Sequence, residues 1–331
     1  VISESINSID DLKTNFESKN SSFFFPKTYL ANLYSNDIDS ISLCHSLNSE
    51  ATTDLRIISN RDVIEGELST NDVPYTRNLL DDCLKLEKNI NFNNYISYKN
   101  GYFDVQDEGS QLVSHFINPQ ANETILDYCS GGGGKTLHLA ELSNDSAKIT
   151  ATDIDLKRLK ETERRVSFHR YSSVRILDME DVDNSTFQYD KVLVDAPCSG
   201  SGTVRRSPDI RYSITDNTIS SYATLQLEIL NHCYHKLRQG GEMIYSTCSL
   251  FFKENDDVIA SFLEGHNDLT LIDIRNRAIG LQLDPDKFDY TANGLLTLTH
   301  KTKTDGFFIS IIKKYLLMKL TRIVCLMKKT T

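Results

Sequence analysis

The sequence predicts an α/β protein built on a doubly wound, mostly parallel sheet, with a small α+β domain ahead of it. Three observations carry that reading. From Tyr102 onward, short apolar runs alternate with segments of helical spacing, joined by a few residues each. The run Val192-Leu193-Val194 is unbroken apolar sequence, as in strands buried on both faces of a parallel sheet. A glycine cluster directly follows the first of these strands, where such folds turn into a helix around a ligand.

The elements follow in order. Residues 1–100 are rich in Asn, Ser, Asp and Ile, hold Gly66 as their single glycine, and mix periodicities. Ser22–Leu33 suits a short helix, and Thr53–Ser59 alternates like a strand. This segment is expected to be a small α+β module. Residues 101–314 are expected to form the main α/β domain, and 315–331 a basic, apolar tail. In the second segment, Gln111–Ile117 reads as helix and Thr124–Tyr128 as the first strand. Helix follows at Lys135–Leu142, strand at Lys148–Thr152, helix at Leu156–Phe168, and strands at Val174–Leu177 and Lys191–Val194. A long helix over Ile219–Leu237 is expected to stop at Gly240-Gly241. Strand Met243–Ser246, helix Glu254–Leu263 and strands at Leu269–Ile272, Leu295–Leu298 and Phe307–Ile312 complete the sheet.

Composition excludes several classes. The 331 residues carry 36 Lys and Arg against 46 Asp and Glu, a formal net charge of −10. That balance disfavours a protein that coats nucleic acid or a membrane surface through bulk charge. The acidity is uneven. Residues 1–100 hold 9 cations against 15 acids, whereas 301–331 hold 8 Lys and Arg against Asp305 alone. No run reaches the roughly 18 apolar residues of a membrane span. The start, Val1-Ile2-Ser3-Glu4, has neither the basic nor the apolar region of a signal peptide and lacks Met, which reads as a fragment. Seven widely spaced cysteines (Cys44, Cys83, Cys129, Cys198, Cys233, Cys248, Cys325) with no C-x-x-C pair support neither a disulfide framework nor a zinc site. A cytoplasmic, metal-free, membrane-free protein is expected, with no oligomer implied.

The loop Asp127-Tyr128-Cys129-Ser130-Gly131-Gly132-Gly133-Gly134-Lys135-Thr136 sits between strand and helix. It fails as a P-loop, because the opening glycine of G-x-x-x-x-G-K-[ST] would fall on Cys129. It fits an S-adenosylmethionine site better. There the loop wraps the amino-acid end of the cofactor, Asp153 at the end of the second strand binds the ribose hydroxyls, and Asp178 after the third reaches the adenine. Two cysteine motifs follow later strands: Asp195-Ala196-Pro197-Cys198-Ser199-Gly200 and Ser246-Thr247-Cys248-Ser249. In a doubly wound sheet both face the ligand crevice.

From Tyr102 to about Lys314, these residues resemble the Sun/Fmu/nucleolar-protein family of RNA cytosine-5 methyltransferases. The resemblance also rests on Val105–Gln111, Arg205-Arg206-Ser207-Pro208-Asp209, Glu254-Asn255 and Thr304–Phe308. It implies a seven-stranded Rossmann-like sheet of the class I methyltransferase type, S-adenosylmethionine as cofactor, residues 101–314 as the methyltransferase domain and residues 1–100 as an accessory RNA-binding domain. Asp127, Cys129, Ser130, Gly131, Gly132, Gly133, Gly134, Lys135, Asp153, Asp178 and Asp195 are then the residues expected to hold the cofactor. By the same resemblance Cys248 is the nucleophile towards cytosine carbon 6, and Cys198 completes the reaction and releases the RNA. Asp195 contacts nitrogen 3, Lys135 positions the base or Asp195, and Arg205 and Arg206 touch RNA phosphates. Ribosomal RNA is the leading substrate and transfer RNA the alternative. A DNA methyltransferase, a P-loop hydrolase and an inactive RNA-binding assembly factor remain open. The chain departs from the family where an Ala-Ala-Pro-Gly-Gly type loop gives way to Ser130–Gly134.

Overall fold

The computed structural model describes residues 21–34 and 39–315. Four strands form a small antiparallel sheet: β1 (Thr53–Ile57), β2 (Tyr75–Thr76), β3 (Cys83–Leu86) and β4 (Phe103–Val105), in the order β2-β3-β1-β4. Its apolar side chains Leu55, Leu84, Leu86 and Phe103 pack on Ile64 and Leu68 of the helix Arg61–Thr70, a closed core of its own. This module does not follow a cut at residue 100. Its fourth strand lies beyond that point, and the helices Lys27–Asn32 and Ser40–Leu47 pack elsewhere. Tyr29, Leu33, Leu43 and Leu47 share a core with Leu250 and Phe251 of the larger domain, and the Tyr29 hydroxyl donates to Ser201 O (2.5 Å).

The larger sheet has nine strands among the described residues: β5 (Thr124–Asp127), β6 (Lys148–Ala151), β7 (Val174–Ile176), β8 (Tyr189–Asp195), β9 (Leu237–Thr247), β10 (Leu269–Leu271), β11 (Asp289–Tyr290), β12 (Leu295–Thr297) and β13 (Phe307–Lys314). The order is β11-β12-β13-β9-β8-β5-β6-β7, with β10 beside β13. β7, β6, β5, β8 and β9 run parallel, and every pair from β9 outward through β13 is antiparallel. The doubly wound α/β expectation holds; the two-residue β11, paired with β12, was not among the expected strands, and the sheet has nine strands where the family resemblance implied seven. Successive side chains of β8 enter different cores, Val192 and Val194 one and Leu193 the other, so both faces of the sheet are covered.

One expectation is corrected at β9. The long helix spans Asp216–Tyr234, closed at its start by a Thr215–Thr218 capping box, and it ends well before Gly240-Gly241. Those glycines lie inside β9, where the pairing with β8 slips between Tyr189 and Lys191. Gly240 adopts φ +77°, and a Cβ on Gly241 would stand 2.8 Å from Asp190 O. They form a bulge that brings the strand into register, not a helix stop.

The chain winds outward from β5 through β6 to β7, then returns to place β8 on the other side of β5. That reversal opens a crevice at the carboxyl ends of β5 and β8. Two buried ionic clusters lock the small module beside it. Arg56 of β1, fully buried, meets Asp104 of β4 (3.0 Å) and Glu141 of the helix Gly134–Leu142. Lys85 of β3 meets Asp54 (2.6 Å) and Glu108 (3.3 Å).

Candidate active site

The loop after β5 is held by its own backbone. Ser130 N–H donates to Thr152 O (3.0 Å), and Gly131 N–H to Asp153 Oδ2 (2.7 Å). The four glycines divide into two kinds. Gly131 and Gly133 take φ +56° and +81°, and a Cβ on Gly133 would collide with Thr162 at 2.7 Å. Gly132 and Gly134 open onto space, with nothing within 4 Å of a Cβ on the first and Gln106 Nε2 at 3.7 Å from one on the second.

Several buried polar atoms of this loop and its neighbour Gln106 have no partner. Asp127 is fully buried. Its Oδ2 accepts from Thr136 Oγ1 (2.6 Å), while its Oδ1 and the Ser130 hydroxyl have no hydrogen-bond partner. Gln106 Oε1 is likewise unpaired. Burial, with the nearby Asp195 and Asp153 charges adding, pushes the Asp127 carboxyl up to about 7 against the pull of Thr136 and Lys135. Asp153, also buried, spends Oδ1 on Asp155 N–H (2.8 Å) and Oδ2 on Gly131. Cys129 is half-buried beside the loop, its thiol pushed up by burial and the surrounding carboxylates. Asp178 begins the helix Met179–Asn184 after β7 and is exposed.

Across the crevice stand the ends of β8 and β9. Asp195 Oδ2 accepts from Lys135 Nζ and its Oδ1 from Ser246 Oγ, both at 2.7 Å. Lys135 also sits over the Phe307 ring, 5.3 Å from its centre. The two half-buried cysteines converge, Cys198 Sγ lying 3.4 Å from Cys248 Sγ. The contact with Cys248, together with burial and the Glu254 charge, holds the Cys198 thiol well above the ordinary range.

Glu254 and its neighbours hold both cysteine loops, a role sequence reasoning left unassigned. The carboxylate is fully buried, accepting from Ser199 N–H (2.8 Å), Ser249 Oγ (2.8 Å) and Gln226 Nε2 (3.2 Å). Burial raises its affinity for a proton despite these donors. Asn255 completes the brace, accepting from Thr247 Oγ1 (2.7 Å) and donating to Ser249 O (2.9 Å). The pair stood in the motif Glu254-Asn255, but only packing shows what it touches.

The two arginines expected to touch phosphate are engaged in an ion-pair cluster. Arg205 is 4% exposed at its side chain and donates to Asp305 Oδ1 (2.6 Å) and Asp107 Oδ2 (3.1 Å). Arg206 joins the same two carboxylates, at 2.8 Å from Asp107 and in contact with Asp305. Both guanidinium groups are committed to this cluster, which ties the loop after β8 to the starts of β13 and of the helix Glu108–Ile117. The basic C-terminal stretch is engaged in the same way. Lys301 pairs with Asp289, Lys313 with Glu242, and Lys314 Nζ donates to Tyr234 O (3.0 Å) and Leu237 O (3.1 Å). The tail from residue 316 lies outside the described residues.

The model of the family described as 16S rRNA methyltransferase RsmB/F matches residues 114–313, which carry the glycine loop, both cysteines and Asp195. The chain belongs to this family. Probable ribosomal RNA small subunit methyltransferase B of Bacillus subtilis (strain 168) is 34% identical over 247 residues, 71% of this chain and 53% of that protein. Ribosomal RNA small subunit methyltransferase B of Shewanella oneidensis is 35% identical over 257 residues, 74% of this chain and 59% of that protein. The RsmB/F chain thus spans little more than half the length of the curated relatives it matches. Among solved structures, PH0851 superposes with a TM-score of 0.81 at 27% identity, over 94% of this chain and 69% of that one. NSun6 from Pyrococcus horikoshii, solved with SFG, gives 0.74 at 18% identity, over 88% of this chain and 99% of that one, a likeness of fold. No helix among the described residues is long and apolar enough to cross a membrane.

Proposed function

We propose that this chain transfers a methyl group from S-adenosylmethionine to carbon 5 of a cytosine in RNA, with small-subunit ribosomal RNA as the leading substrate. The observation that carries the reading is the 3.4 Å approach of Cys198 to Cys248 beside Asp195, at the carboxyl ends of neighbouring parallel strands. A P-loop hydrolase is disfavoured, because Lys135 is committed to Asp195 where that chemistry needs it on a phosphate. A DNA methyltransferase needs no second cysteine motif.

The residues present suit the cofactor. Asp127 Oδ1 and the Ser130 hydroxyl are buried and unpaired at the loop whose Gly132 and Gly134 leave room for a ligand, a setting for a cationic amino-acid end. Asp153 is fixed at the β6 tip for ribose hydroxyls, and Asp178 and Asp195 border the same edge. When bound, the cofactor supplies an electrophilic methyl group on a sulfonium.

The chain's own residues supply the rest. The Cys248 thiolate adds to carbon 6, and carbon 5 gains nucleophilic character. Asp195, held by Lys135 and Ser246, contacts nitrogen 3 of the adduct. After methylation Cys198 assists loss of the carbon-5 proton, the electron pair re-forms the C5–C6 bond, and Cys248 leaves as thiolate. The target base must come from a loop or leave its stack. The small sheet module is the proposed accessory RNA-binding part.

The test is incubation of the protein with labelled S-adenosylmethionine and total RNA, followed by nucleoside analysis. Label in 5-methylcytidine of small-subunit ribosomal RNA is expected. Label in another nucleoside overturns the chemistry, and label confined to transfer RNA overturns the substrate.

A further inference from the structure

We propose that Asp82, His115 and His138 form a binding site for a borderline divalent cation, zinc above all, which clamps the small sheet module to the methyltransferase body. None of the three is among the residues expected to hold cofactor or base. Asp82 comes from the segment leading into β3, His115 from the helix Glu108–Ile117, and His138 from the helix Gly134–Leu142. Their three donor atoms all lie within 4.8 Å of one another. Asp82 Oδ2 is 3.4 Å from His115 Nε2 and 4.0 Å from His138 Nε2, and the imidazole rings meet edge-on at 5.1 Å and 79°. Donors about 2.0–2.2 Å from a tetrahedral zinc stand roughly 3.3–3.5 Å apart, so closing around a cation takes only a small side-chain adjustment.

His138 points independently to a ligand. It is 0% exposed, and neither ring nitrogen has a hydrogen-bond partner. An unpaired buried polar group is costly, and this ring carries two. Burial, reinforced by the Arg56, His115 and Lys135 charges, keeps it neutral, the state a metal requires. The Arg56 charge is itself answered by Asp104 and Glu141. Asp82 and His115, at 28% and 20% side-chain exposure, leave an entry path and room for a water as fourth ligand. Two imidazoles and a carboxylate select zinc, cobalt or nickel over calcium or magnesium. The other acid-and-cysteine group, Asp54, Cys83 and Glu108, is already filled by the Lys85 ammonium.

Full-length protein, stripped with chelator, is titrated with Co²⁺ and then Zn²⁺. We expect one equivalent of cobalt, visible d–d bands without a thiolate charge-transfer band, displacement by zinc, and a melting temperature that rises with metal. Asp82→Asn and His115→Gln should each weaken binding by at least about 100-fold, more than loss of a mere supporting partner. Both residues are partly exposed, and circular dichroism of each variant confirms its fold. Three results overturn the site: no stoichiometric cobalt binding, a charge-transfer band that vanishes in Cys198→Ala, or unchanged affinity in the two folded variants.

Discussion

Cys198 and Cys248 face each other at 3.4 Å from the tips of two neighbouring parallel strands, β8 and β9. The separation is too short for a base to lie between the sulfurs, so the proposed reaction brings both to one face of one ring. Contact with Cys248 and burial raise the hold of the Cys198 thiol on its proton. With Cys248 as the proposed nucleophile and Cys198 as the proposed release group, the two single variants should fail differently. Cys248→Ala should lose methyl transfer by several orders of magnitude. Cys198→Ala should still attack and then stall, leaving a protein–RNA adduct that survives denaturing electrophoresis. An inactive Cys198→Ala that forms no adduct, or an active Cys248→Ala, would reverse the roles.

The spacing of that pair depends on a backbone contact. Gly202 N–H donates to Cys248 O (2.8 Å), and Gly306 N–H donates to Gly202 O (2.9 Å). A Cβ on Gly202 would overlap the Gly306 carbonyl and stand 2.8 Å from its Cα, and backbone cannot step aside as a side chain can. Gly202→Ala should therefore push the Cys198 loop away from the Cys248 loop. We expect about 1–3 kcal/mol lost in urea unfolding. Activity should fall by about 100-fold, as displacements near 1 Å cause. Wild-type turnover in this variant would show that the loops do not need their observed spacing.

Arg205 offers a test of structure against RNA contact. Its charge is buried between Asp107 and Asp305, and removing one member of such a cluster leaves the others uncompensated. Arg205→Ala should lose about 3–5 kcal/mol of stability in chemical unfolding. The salt dependence of RNA binding, measured at a temperature where the variant is folded, should stay as in wild type. A slope shallower by about one would mean that a phosphate contact had been lost and would restore the RNA role.

The parts legible in sequence are those written in local pattern. Strand–helix alternation marks β5 to β9, and the glycine run marks the crevice loop, because periodicity and turn chemistry act over a few residues. The ion pairing of Arg205 was not legible because its partners lie about a hundred residues away on either side, at Asp107 and Asp305. A sequence shows an Arg-Arg pair as charge and cannot show that two carboxylates close over it. Gly240-Gly241 failed for a related reason: a glycine pair marks a left-handed turn equally well in a bulge and after a helix. The Asp82–His115–His138 cluster has no local spacing at all. It exists only because two helices and the module's sheet pack together.

Asp127 should make stability depend on pH in a direction opposite to most carboxylates. Its carboxyl is raised from 3.8 to about 7 in the folded protein, chiefly by burial. The folded state thus holds a proton that the unfolded chain has released throughout the interval between those values. The stabilisation is complete below pH 3.8, declines as pH rises, and is gone above about 7. That interval of about three pH units corresponds to an order of 4 kcal/mol. Asp127→Asn removes the ionisable group and keeps an acceptor for Thr136 Oγ1. Relative to wild type, the variant should gain stability steadily from pH 4 to pH 7 and no further, read by urea unfolding at each pH. Cofactor binding should run the other way. A cationic amino group beside Asp127 favours the carboxylate, so wild-type affinity for S-adenosylmethionine should rise from pH 6 to pH 8, and the Asn variant should bind weakly at both. Equal pH profiles for the two proteins would place the cofactor's cationic end away from Asp127.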